Sequence, residues 1–399
     1  MRKVVVVSAL RSPIGAFGGV FKQVSAVDLG IQVVRESLKQ TGIKPEMVDE
    51  VIMGNVIGAG LGQNVSRQIS LGSGIPESVP TFTVNKVCGS GMKTVALASA
   101  MIGIGDADII IAGGTENMSQ VPYTLPNERW GARMGDKQVV DIMVKDGLWD
   151  IFNDYHMGIT AENLADKFDL TREAMDRFAA LSQNRCQAAR ESGRFAEEIV
   201  PIHVPQRRKD DLIITEDEFP RAGVTAESLA KLRPAFRRDG RVTAANSSGI
   251  NDGAAVLILM SAEKAAELGI KPLATLVDNA SAGVDPSIMG YGPVPSIKKV
   301  LAKANWKLSD IELAELNEAF AAQSLAVFQG LAAEGVGEMD SEIVNVNGGA
   351  ISLGHPIGAS GARIIVTLLH EMQKRQVKKG LASLCIGGGM GISTLFEMD

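Results

Sequence analysis

The chain is poor in cysteine, in aromatic residues and in long apolar runs. Three cysteines among 399 residues cannot form a disulfide framework, which favours a reducing compartment. Aromatic residues make up 5%, which is little for a protein that stacks nucleic-acid bases. No uninterrupted apolar stretch reaches the roughly 18 residues of a membrane span, and the run from Val4 to Leu10 is too short for a secretory signal. We therefore expect a cytoplasmic protein that binds neither membrane nor nucleic acid.

Several catalytic and metal-binding motifs are also missing. The absence of G-x-S-x-G disfavours an α/β-hydrolase serine. His370-Glu371 lacks the second histidine of H-E-x-x-H, and no C-x-x-C pair exists, so no metal site is expected. The stretch Gly58-Ala59-Gly60-Leu61-Gly62 is followed by Gln63, which leaves the dinucleotide fingerprint G-x-G-x-x-G incomplete.

What is present is ordinary globular composition with one anomaly. Apolar residues make up 45%, and 40 basic against 46 acidic residues give a net charge of −6, which suits a mixed, mildly acidic surface. A chain of this length builds two or three domains or one large two-lobed unit. The 43 glycines are the anomaly, since they imply tight turns, close helix packing or backbone approach to a ligand.

Buried strands alternate with helices in the first part of the chain, which predicts an α/β architecture. The predicted elements are strands at 4–7, 51–56 and 109–112, the last ending at Gly113-Gly114, and helices at 27–40 and 91–105. From about residue 119 to 241 helical stretches lie between polar loops, which indicates a large insertion.

The later part of the chain resembles the first. When Leu38 is aligned with Leu301, an offset of 263, "LKQTGIKPEMVDEVIMGN" lies over "LAKANWKLSDIELAELNE" without gaps. The helix end, turn, acidic position and strand all coincide. The chain is therefore predicted to be a duplicated α/β unit with an insertion in its first copy.

Cys88 lies between a predicted strand and an alanine-rich helix, with Gly89 and Gly91 behind it. The unpaired N–H groups and the dipole of a helix N-terminus lower the pKa of a nearby thiol. Cys88 is thus a candidate nucleophile with an expected lowered pKa. The alternative is a buried cysteine at a helix start, and this segment alone leaves the two equally weighted.

His355 is embedded in the glycine-rich stretch "NGGAISLGHPIGASG", just before a predicted helix. The chain has only four histidines, and this loop setting makes His355 the candidate general base. The alternative is a loop histidine bonded to backbone carbonyls. His370 lies in an amphipathic helix and is expected to be structural, and His203 is expected to be exposed.

Cys385 and Asn317 are the other candidates for chemistry. Cys385 ends a predicted strand and precedes the run Gly387-Gly388-Gly389, whose N–H groups suit an oxyanion. Asn317, at a strand-to-helix switch in "NEAFA", suits a water-holding or helix-capping role. Cys186, within a helix of the insertion, is expected to be inert.

Taken together, these segments resemble the thiolase family over essentially the whole chain. The resemblance is carried, in this order, by the Cys88 segment, "NEAFA" at 317–321, "GGAISLGHPIGASGAR" at 348–363 and "CIGGGMG" at 385–391. The segments "DYHMGITAEN" and "VTAANSSGINDGAA" also match, and "YHM" together with "IMG" at 288–290 is similar to the short-chain biosynthetic branch.

The resemblance implies a fold and its division. The family fold is an α-β-α-β-α five-layer sandwich of two similar halves with an inserted loop domain. The implied division is an N-terminal half at 1–118 and 250–269, a loop domain at 119–249 that binds coenzyme A and supports tetramer contacts, and a C-terminal half at 270–399.

The resemblance also implies an activity, the joining of two acetyl-CoA molecules into acetoacetyl-CoA and CoA, or the reverse thiolysis. Cys88 would be acetylated, His355 would take its proton, and Cys385 would remove the α-proton of the second acetyl-CoA. His355 and a water held by Asn317 would stabilise the enolate, and the N–H groups of Cys88 and Gly387 the tetrahedral oxyanion. CoA thioesters would be substrates, no further cofactor is expected, and the assembly would be a homotetramer.

Substrate-binding residues also follow from the resemblance. Arg221 would face the CoA nucleotide, and Ser248 and Ala244 the pantetheine. The thioester end and the acyl wall would be formed by His156, Leu148, Met157, Phe236, Met289 and Phe320.

Three other functions stay open at this point. A broader-chain 3-ketoacyl-CoA thiolase of fatty-acid breakdown is the nearest alternative, which Met289 and "HMG" disfavour. A silent CoA or lipid carrier would have lost Cys88, His355 or Cys385, yet all three are present. A papain-like hydrolase lacks its flanking signature.

Overall fold

The structure is a computed structural model that describes residues 1–398. Its strands, in chain order, are β1 (Val4–Arg11), β2 (Gly15–Ala16), β3 (Glu50–Gly54), β4 (Thr81–Val84), β5 (Ile109–Asn117), β6 (Tyr123–Thr124), β7 (Val140–Asp141), β8 (Trp149–Asp150), β9 (Tyr155–His156), β10 (Ile202–Val204), β11 (Leu212–Ile214), β12 (Asn251–Ser261), β13 (Ala274–Gly283), β14 (Leu313–Leu316), β15 (Lys379–Ile386) and β16 (Met390–Glu397).

The α-helices are α1 (Ala26–Thr41), α2 (Val65–Gly72), α3 (Ser90–Ile104), α4 (Met157–Lys167), α5 (Arg172–Glu191), α6 (Ala226–Leu229), α7 (Ala262–Leu268), α8 (Pro293–Ala304), α9 (Ala321–Ala333), α10 (Ala350–Leu353) and α11 (Ile357–Arg375). Short 3₁₀ turns lie at Pro45–Met47, Met118–Gln120, Glu128–Trp130, Pro286–Tyr291, Leu308–Asp310 and Ser341–Ile343, and one π-helical segment lies at Met143–Leu148.

Ten strands form one mixed sheet in the order β14-β15-β16-β13-β1-β12-β5-β3-β4, with β2 added at β12. In the first half β1, β12 and β5 pair antiparallel, and β5, β3 and β4 pair parallel. In the second half β13, β16 and β15 pair antiparallel, and β15 and β14 pair parallel. A short antiparallel pairing between β1 and β13 joins the halves.

The predicted duplication is visible in these elements. Helix α1 is followed by Gly42 at φ +70°, a 3₁₀ turn and β3, and α8 is followed by Asn305 at φ +54°, a 3₁₀ turn and β14. The parallel pair Val51–Thr81 in the first half corresponds, at the same offset of 263, to the parallel bridge Ala314–Val344 in the second. The two halves therefore share one topology.

Three helix layers alternate with the two half-sheets. Helices α1 and α2 cover the first half-sheet through a core that includes Leu29, Val33 and Ile69. Helices α8 and α9 cover the second through a core that includes Ile297 and Val327. The third core, formed around α3 and α11, contains residues of both half-sheets. The α/β class and the predicted five-layer α-β-α-β-α sandwich are confirmed.

Glycines allow the two central helices to approach closely. A Cβ on Gly91 of α3 would lie 2.8 Å from the backbone nitrogen of Ala362, and one on Gly361 of α11 would lie 2.5 Å from that of Met92. Such distances exclude any side chain. Close helix packing thus accounts for part of the glycine excess, and it brings the N-termini of α3 and α11 together.

Strand β5 differs from its prediction. The sequence predicts an end at Gly113-Gly114, whereas the strand continues to Asn117 because β12 pairs with it along its whole length. Both glycines allow close backbone contacts instead: a Cβ on Gly113 would lie 2.2 Å from the Ala255 carbonyl oxygen in β12, and one on Gly114 would lie 2.0 Å from the Gly358 carbonyl oxygen in α11.

One segment, Val87–Ile104, is long and apolar enough to cross a membrane by composition alone. It is largely α3, which lies between the half-sheets and is mostly buried there, so it is the core helix of this fold.

The predicted insertion, residues 119–249, contains β6 to β11 as three small hairpins together with α4 to α6. The residue bounds of the three predicted units stay a prediction.

Candidate active site

Cys88 follows a strained turn between β4 and α3. Val87 has φ +47°, a left-handed conformation that β-branched residues rarely adopt. Three hydrogen bonds hold this turn: Val87 N–H donates to Asn85 Oδ1 (3.0 Å), Lys86 N–H to Ser90 Oγ (2.8 Å) and Ser90 Oγ to the Val87 carbonyl (2.6 Å). The turn presents the half-buried Cys88 at the start of α3.

The pKa of Cys88 is raised to about 11, so the predicted lowering is wrong in direction. Burial is the largest cause, because it disfavours the thiolate, and the charge of Glu116 acts the same way. The N–H groups of Gly387 and of Cys88 itself face the sulfur and oppose this rise. Cys88 is therefore a thiol at rest and needs a base to become a nucleophile.

His355 is buried just before α11 and is fixed by its neighbours. Its backbone N–H donates to Asn251 Oδ1 (2.9 Å), and its Nδ1 lies 2.6 Å from Ser360 Oγ. The Ser360 hydroxyl donates to the Pro356 carbonyl (2.9 Å), so its oxygen accepts from His355 Nδ1–H. This assignment leaves Nε2 as the acceptor nitrogen, and within residues 1–398 Nε2 has no hydrogen-bond partner.

The pKa of His355 is lowered to about 3, first by burial and then by the charge of Arg363. The imidazole is therefore neutral across the physiological range, with Nε2 ready to accept a proton. Gly354, which precedes it, has φ +109°, and a Cβ there would lie 2.4 Å from the Asn251 side chain. Only glycine fits this approach to the base.

Cys385 is fully buried near the end of β15 and interacts electrostatically with Cys88. Burial raises the pKa of its thiol, and the nearby Cys88 raises it further. Gly387 follows β15 in the turn to β16. The predicted nucleophile, second sulfur and oxyanion N–H groups therefore come together from opposite halves of the chain.

Asn317 follows β14 and is 1% exposed. Within residues 1–398 neither polar atom of its side chain has a hydrogen-bond partner. An unpartnered buried amide costs about 1–3 kcal/mol. Such a side chain is typical of a site that binds a substrate or a positioned water.

A cavity of about 700 Å³ connects most predicted site residues. Twelve of them line it: Cys88, Leu148, His156, Met157, Arg221, Phe236, Ala244, Ser248, Met289, Phe320, His355 and Gly387. Cys385 and Asn317 are not among its lining residues. The volume suits a molecule of substrate or drug size.

Aromatic contacts shape one wall of this cavity. His156 stacks on Phe236 with ring centroids 4.7 Å apart, and Phe236 meets Phe320 edge-on at 6.2 Å. His156 Nδ1 accepts from Gly158 N–H (3.0 Å) at the start of α4, and burial lowers the pKa of the ring. Met289, 4% exposed, completes an apolar surface against these rings.

The predicted pantetheine segment is held against the "NEAFA" segment. Ser248 N–H donates to the Ala319 carbonyl (2.9 Å), and Ala321 N–H donates to the Asn246 carbonyl (2.8 Å). Ala244 and Arg221 are exposed at the cavity. The structure therefore combines a buried reactive end with an exposed end that carries Arg221.

Sequence reasoning missed four residues that arrange this site: Val87, Asn251, Ser360 and Glu116. Val87 adopts a backbone conformation that its residue type disfavours, so its sequence carried no signal. Ser360 lies in the quoted "GHPIGASGAR" segment, where its spacing of five from the histidine could have indicated a contact across a helix start. Asn251 and Glu116 contact residues more than a hundred positions away.

Two family models match the chain, "Thiolase, N-terminal domain" over residues 4–263 and "Thiolase, C-terminal domain" over residues 270–398. A protein of Cupriavidus necator named acetyl-CoA acetyltransferase is 56% identical, and the match covers 100% of both chains. The Bacillus anthracis acetyl-CoA acetyltransferase crystal structure is 47% identical with a TM-score of 0.96, covering 100% of this chain and 99% of that one. The human mitochondrial 3-ketoacyl-CoA thiolase structure is 42% identical with a TM-score of 0.94, covering 99% and 98%.

Proposed function

The chain belongs to the thiolase family, and we propose that it is an acetyl-CoA C-acetyltransferase. It joins two acetyl-CoA molecules into acetoacetyl-CoA and CoA and runs the reverse thiolysis. The observation that carries this function is the neutral His355 base facing the same cavity as the protonated Cys88 thiol. The name shared by full-length relatives supports the two-carbon donor.

The first half-reaction transfers an acetyl group to Cys88. His355 Nε2 accepts the Cys88 proton, and the sulfur attacks the thioester carbonyl carbon of acetyl-CoA. The N–H groups of Cys88 and Gly387, which already face the sulfur, donate to the tetrahedral oxyanion. The C–S bond to CoA then breaks, and the departing CoA thiolate takes the proton back from His355.

The second half-reaction makes or breaks a carbon–carbon bond. In thiolysis Cys88, deprotonated by His355, attacks the 3-keto carbon of acetoacetyl-CoA. The bond between C2 and C3 then breaks, and Cys385 gives its proton to the departing acetyl-CoA carbanion. Burial keeps Cys385 protonated, as this acid role requires. In condensation Cys385 first loses its proton, and the thiolate then removes the α-proton of the second acetyl-CoA. The carbanion attacks the carbonyl carbon of acetyl-Cys88, and the bond between that carbon and the Cys88 sulfur breaks. The expelled Cys88 thiolate takes the proton back from the Cys385 thiol, which restores the Cys385 thiolate for the next turnover.

In this proposal His355 and Asn317 stabilise the enolate. Once protonated, His355 Nε2–H donates toward the developing enolate oxygen. Asn317, with two unpartnered buried polar atoms, holds a water that donates to the same oxygen. The CoA thioesters are substrates, and no other cofactor takes part in these steps.

Substrate binding divides between the rim and the floor of the cavity. Exposed Arg221 contacts the CoA nucleotide, while Ser248 and Ala244 follow the pantetheine. Leu148, His156 and Met157 lie along the thioester end. Phe236, Met289 and Phe320 wall the acyl group.

A homotetramer in the cytoplasm completes the proposal. The predicted insertion carries large exposed apolar side chains of the kind that mark subunit contacts, among them Tyr123, Leu125, Trp130, Met134 and Val139. All three cysteines are free, which suits a reducing compartment. Light scattering of the purified protein should give about four times the mass of one chain.

The second candidate is a broader-chain 3-ketoacyl-CoA thiolase, favoured by the likeness to the human mitochondrial 3-ketoacyl-CoA thiolase. Thiolysis rates measured on 3-ketoacyl-CoA substrates of four, six, eight and more carbons separate the two. We expect kcat/KM to fall steeply beyond four carbons. A flat series would select the broader-chain enzyme, and no thiolysis at any length would reject both.

A further inference from the structure

We propose that Glu116 is a positioning residue that fixes the turn before Cys88, in the first half of the protein, relative to the loop that contains His355, in the second half. This inference rests on the proposed function, because it concerns how the nucleophile and its base are aligned. Glu116 lies near the end of β5 and is fully buried. It does not line the cavity, so it acts on substrate only through other residues.

Four N–H groups converge on this carboxylate. Oε1 accepts from the Asn55 side-chain amide (2.9 Å) and from Ile57 N–H (3.2 Å). Oε2 accepts from Val56 N–H (3.0 Å) and from Gly358 N–H (2.9 Å). Three of the donors belong to the loop after β3, in the first half, and the fourth is in the first turn of α11, in the second half.

Each side of this carboxylate leads to one catalytic loop. On the first side the Val56 carbonyl accepts from the Asn85 side chain (3.1 Å), whose Oδ1 in turn accepts from Val87 N–H in the strained turn before Cys88. On the second side Gly358 follows His355 by three residues. One carboxylate thus connects the two reacting groups by short hydrogen-bonded paths.

Gly358 allows the N-terminus of α11 to lie close to Glu116. A Cβ on Gly358 would lie 2.6 Å from Glu116 Oε2 and 3.0 Å from the Asn55 Cα, so only glycine allows the helix N-terminus to come so near. Burial raises the pKa of Glu116 to about 7, and its hydrogen bonds oppose that rise. Its charge also raises the pKa of Cys88, which gives a second observable consequence.

Glu116→Gln tests the proposal with almost no change in volume. An amide has one accepting oxygen, so its NH₂ group must face either the Val56 and Gly358 donors or the Asn55 and Ile57 donors. We expect kcat for acetoacetyl-CoA thiolysis to fall by about 10- to 100-fold with KM within about twofold, because misplaced catalytic groups slow chemistry rather than binding. The pH profile of Cys88 alkylation by iodoacetamide should shift to lower pH.

The control is Glu198→Gln, the same change at another buried carboxylate, which bonds Arg11 and Thr367 and does not line the cavity. It should lower the melting temperature and leave kcat and the alkylation profile unchanged. A folded Glu116→Gln protein with kcat within about twofold of wild type overturns the proposal, as does a raised KM at unchanged kcat.

Two further measurements keep the test decisive. If Glu116→Gln does not fold, Asn55→Ala removes one of the four donors, and it should lower kcat in the same direction by a smaller factor at unchanged KM. Wild-type kcat in that variant overturns the proposal. A wild-type protein without thiolysis rejects the proposed function, whereas Cys88 alkylation still reports on Glu116 because it needs no substrate.

Discussion

At the scale of single residues, the proposed reacting side chains are uncharged at rest. Burial keeps both sulfurs protonated and keeps the His355 imidazole neutral. A neutral site binds an uncharged acyl group without the cost of desolvating an ion. In the proposed mechanism, the negative charge of the tetrahedral oxyanion develops where the N–H groups of Cys88 and Gly387 can donate to it.

The two sulfurs should be separable by substitution. In Cys385→Ser, Cys88 should still be acetylated by acetyl-CoA, because His355 and the oxyanion N–H groups are intact. Condensation and thiolysis should fall by about 10²- to 10⁴-fold, since a serine hydroxyl is a poor acid and base for carbon. Mass spectrometry of the protein after incubation with acetyl-CoA, together with rates on acetoacetyl-CoA, measures both steps.

Cys186→Ser is the matched control for that experiment. Cys186 is buried in α5 and does not line the active cavity, so both half-reactions should survive. An acetyl adduct on Cys186 in the wild type, or loss of Cys88 acetylation in Cys385→Ser, would contradict the assigned roles.

Met289 should limit the length of the acyl chain. It is buried at the cavity beside Phe236 and Phe320, and an unbranched thioether fills the end of a short pocket well. Met289→Ala should raise kcat/KM for 3-ketohexanoyl-CoA relative to acetoacetyl-CoA by about tenfold or more, since a methylene in an apolar pocket is worth about 1–3 kcal/mol.

Met372→Ala separates that specificity effect from loss of core packing. Met372 is fully buried in α11 and does not line the cavity. It should lower the melting temperature without changing the substrate ratio. A lower melting temperature with an unchanged substrate ratio in Met289→Ala would mean that Met289 contributes only to core packing.

At the scale of elements, the features that local sequence specifies were predictable. Helix α1 ends where Gly42 supplies the left-handed cap, and the gapless alignment at an offset of 263 predicts the matching helix end, turn and strand in the second half. The candidate cysteine and histidine and the "NEAFA" segment were identified because each lies in an unusual local run. These features need no knowledge of distant contacts.

What the sequence could not predict depends on partners far along the chain. Strand β5 runs through Gly113-Gly114 because β12, more than a hundred residues later, pairs with it. The raised pKa of Cys88 arises chiefly from burial, against which the N–H groups of Gly387 and Cys88 are a weaker effect. Glu116 carried no signal at all, because its four donors come together only in the folded chain.

The crossing of α3 and α11 should tolerate no side chain at Gly91. A Cβ there would lie 2.8 Å from one α11 backbone atom and 3.0 Å from another, so the helices must move apart. Gly91→Ala should destabilise the protein by about 1–3 kcal/mol and lower kcat, because α3 follows Cys88 and α11 follows His355. Thermal unfolding and thiolysis assays measure the two effects.

Gly103→Ala, the same substitution near the other end of α3, is the control. A Cβ at Gly103 would make only ordinary contacts, the nearest 3.7 Å away, and alanine favours a helix by up to about 1 kcal/mol over glycine. Its stability should match or exceed that of the wild type. Equal stability of both variants would show that the crossing can relax.

At the scale of the whole molecule, joining two halves around one site buries carboxyl groups in the core. Glu116 has a pKa raised to about 7, and Glu315 has one raised to about 8, in both cases chiefly by burial. Arg363 lies 3.2 Å from Glu315 and opposes its shift, while Glu318 and Glu198 reinforce it. The folded state is therefore more stable when these carboxyl groups are protonated.

This protonation predicts that stability falls as pH rises from about 6.5 to 8. In that window an unfolded glutamate is ionised while folded Glu315 still binds its proton, so the folded state holds more protons than the unfolded state. Each such carboxyl lowers the free energy of unfolding by about 1.4 kcal/mol per pH unit. His355 opposes the effect only near the lower end of this window, where an unfolded imidazole with a pKa near 6.5 still binds protons that the folded one does not. Melting temperatures across this range should decline in the wild type and decline less in Glu315→Gln, even if that variant is less stable throughout.

Glu263→Gln, the same change at an exposed position, is the control and should keep the wild-type slope of melting temperature against pH. Identical slopes in all three proteins would mean that Glu315 already ionises below pH 6.5 in the folded chain.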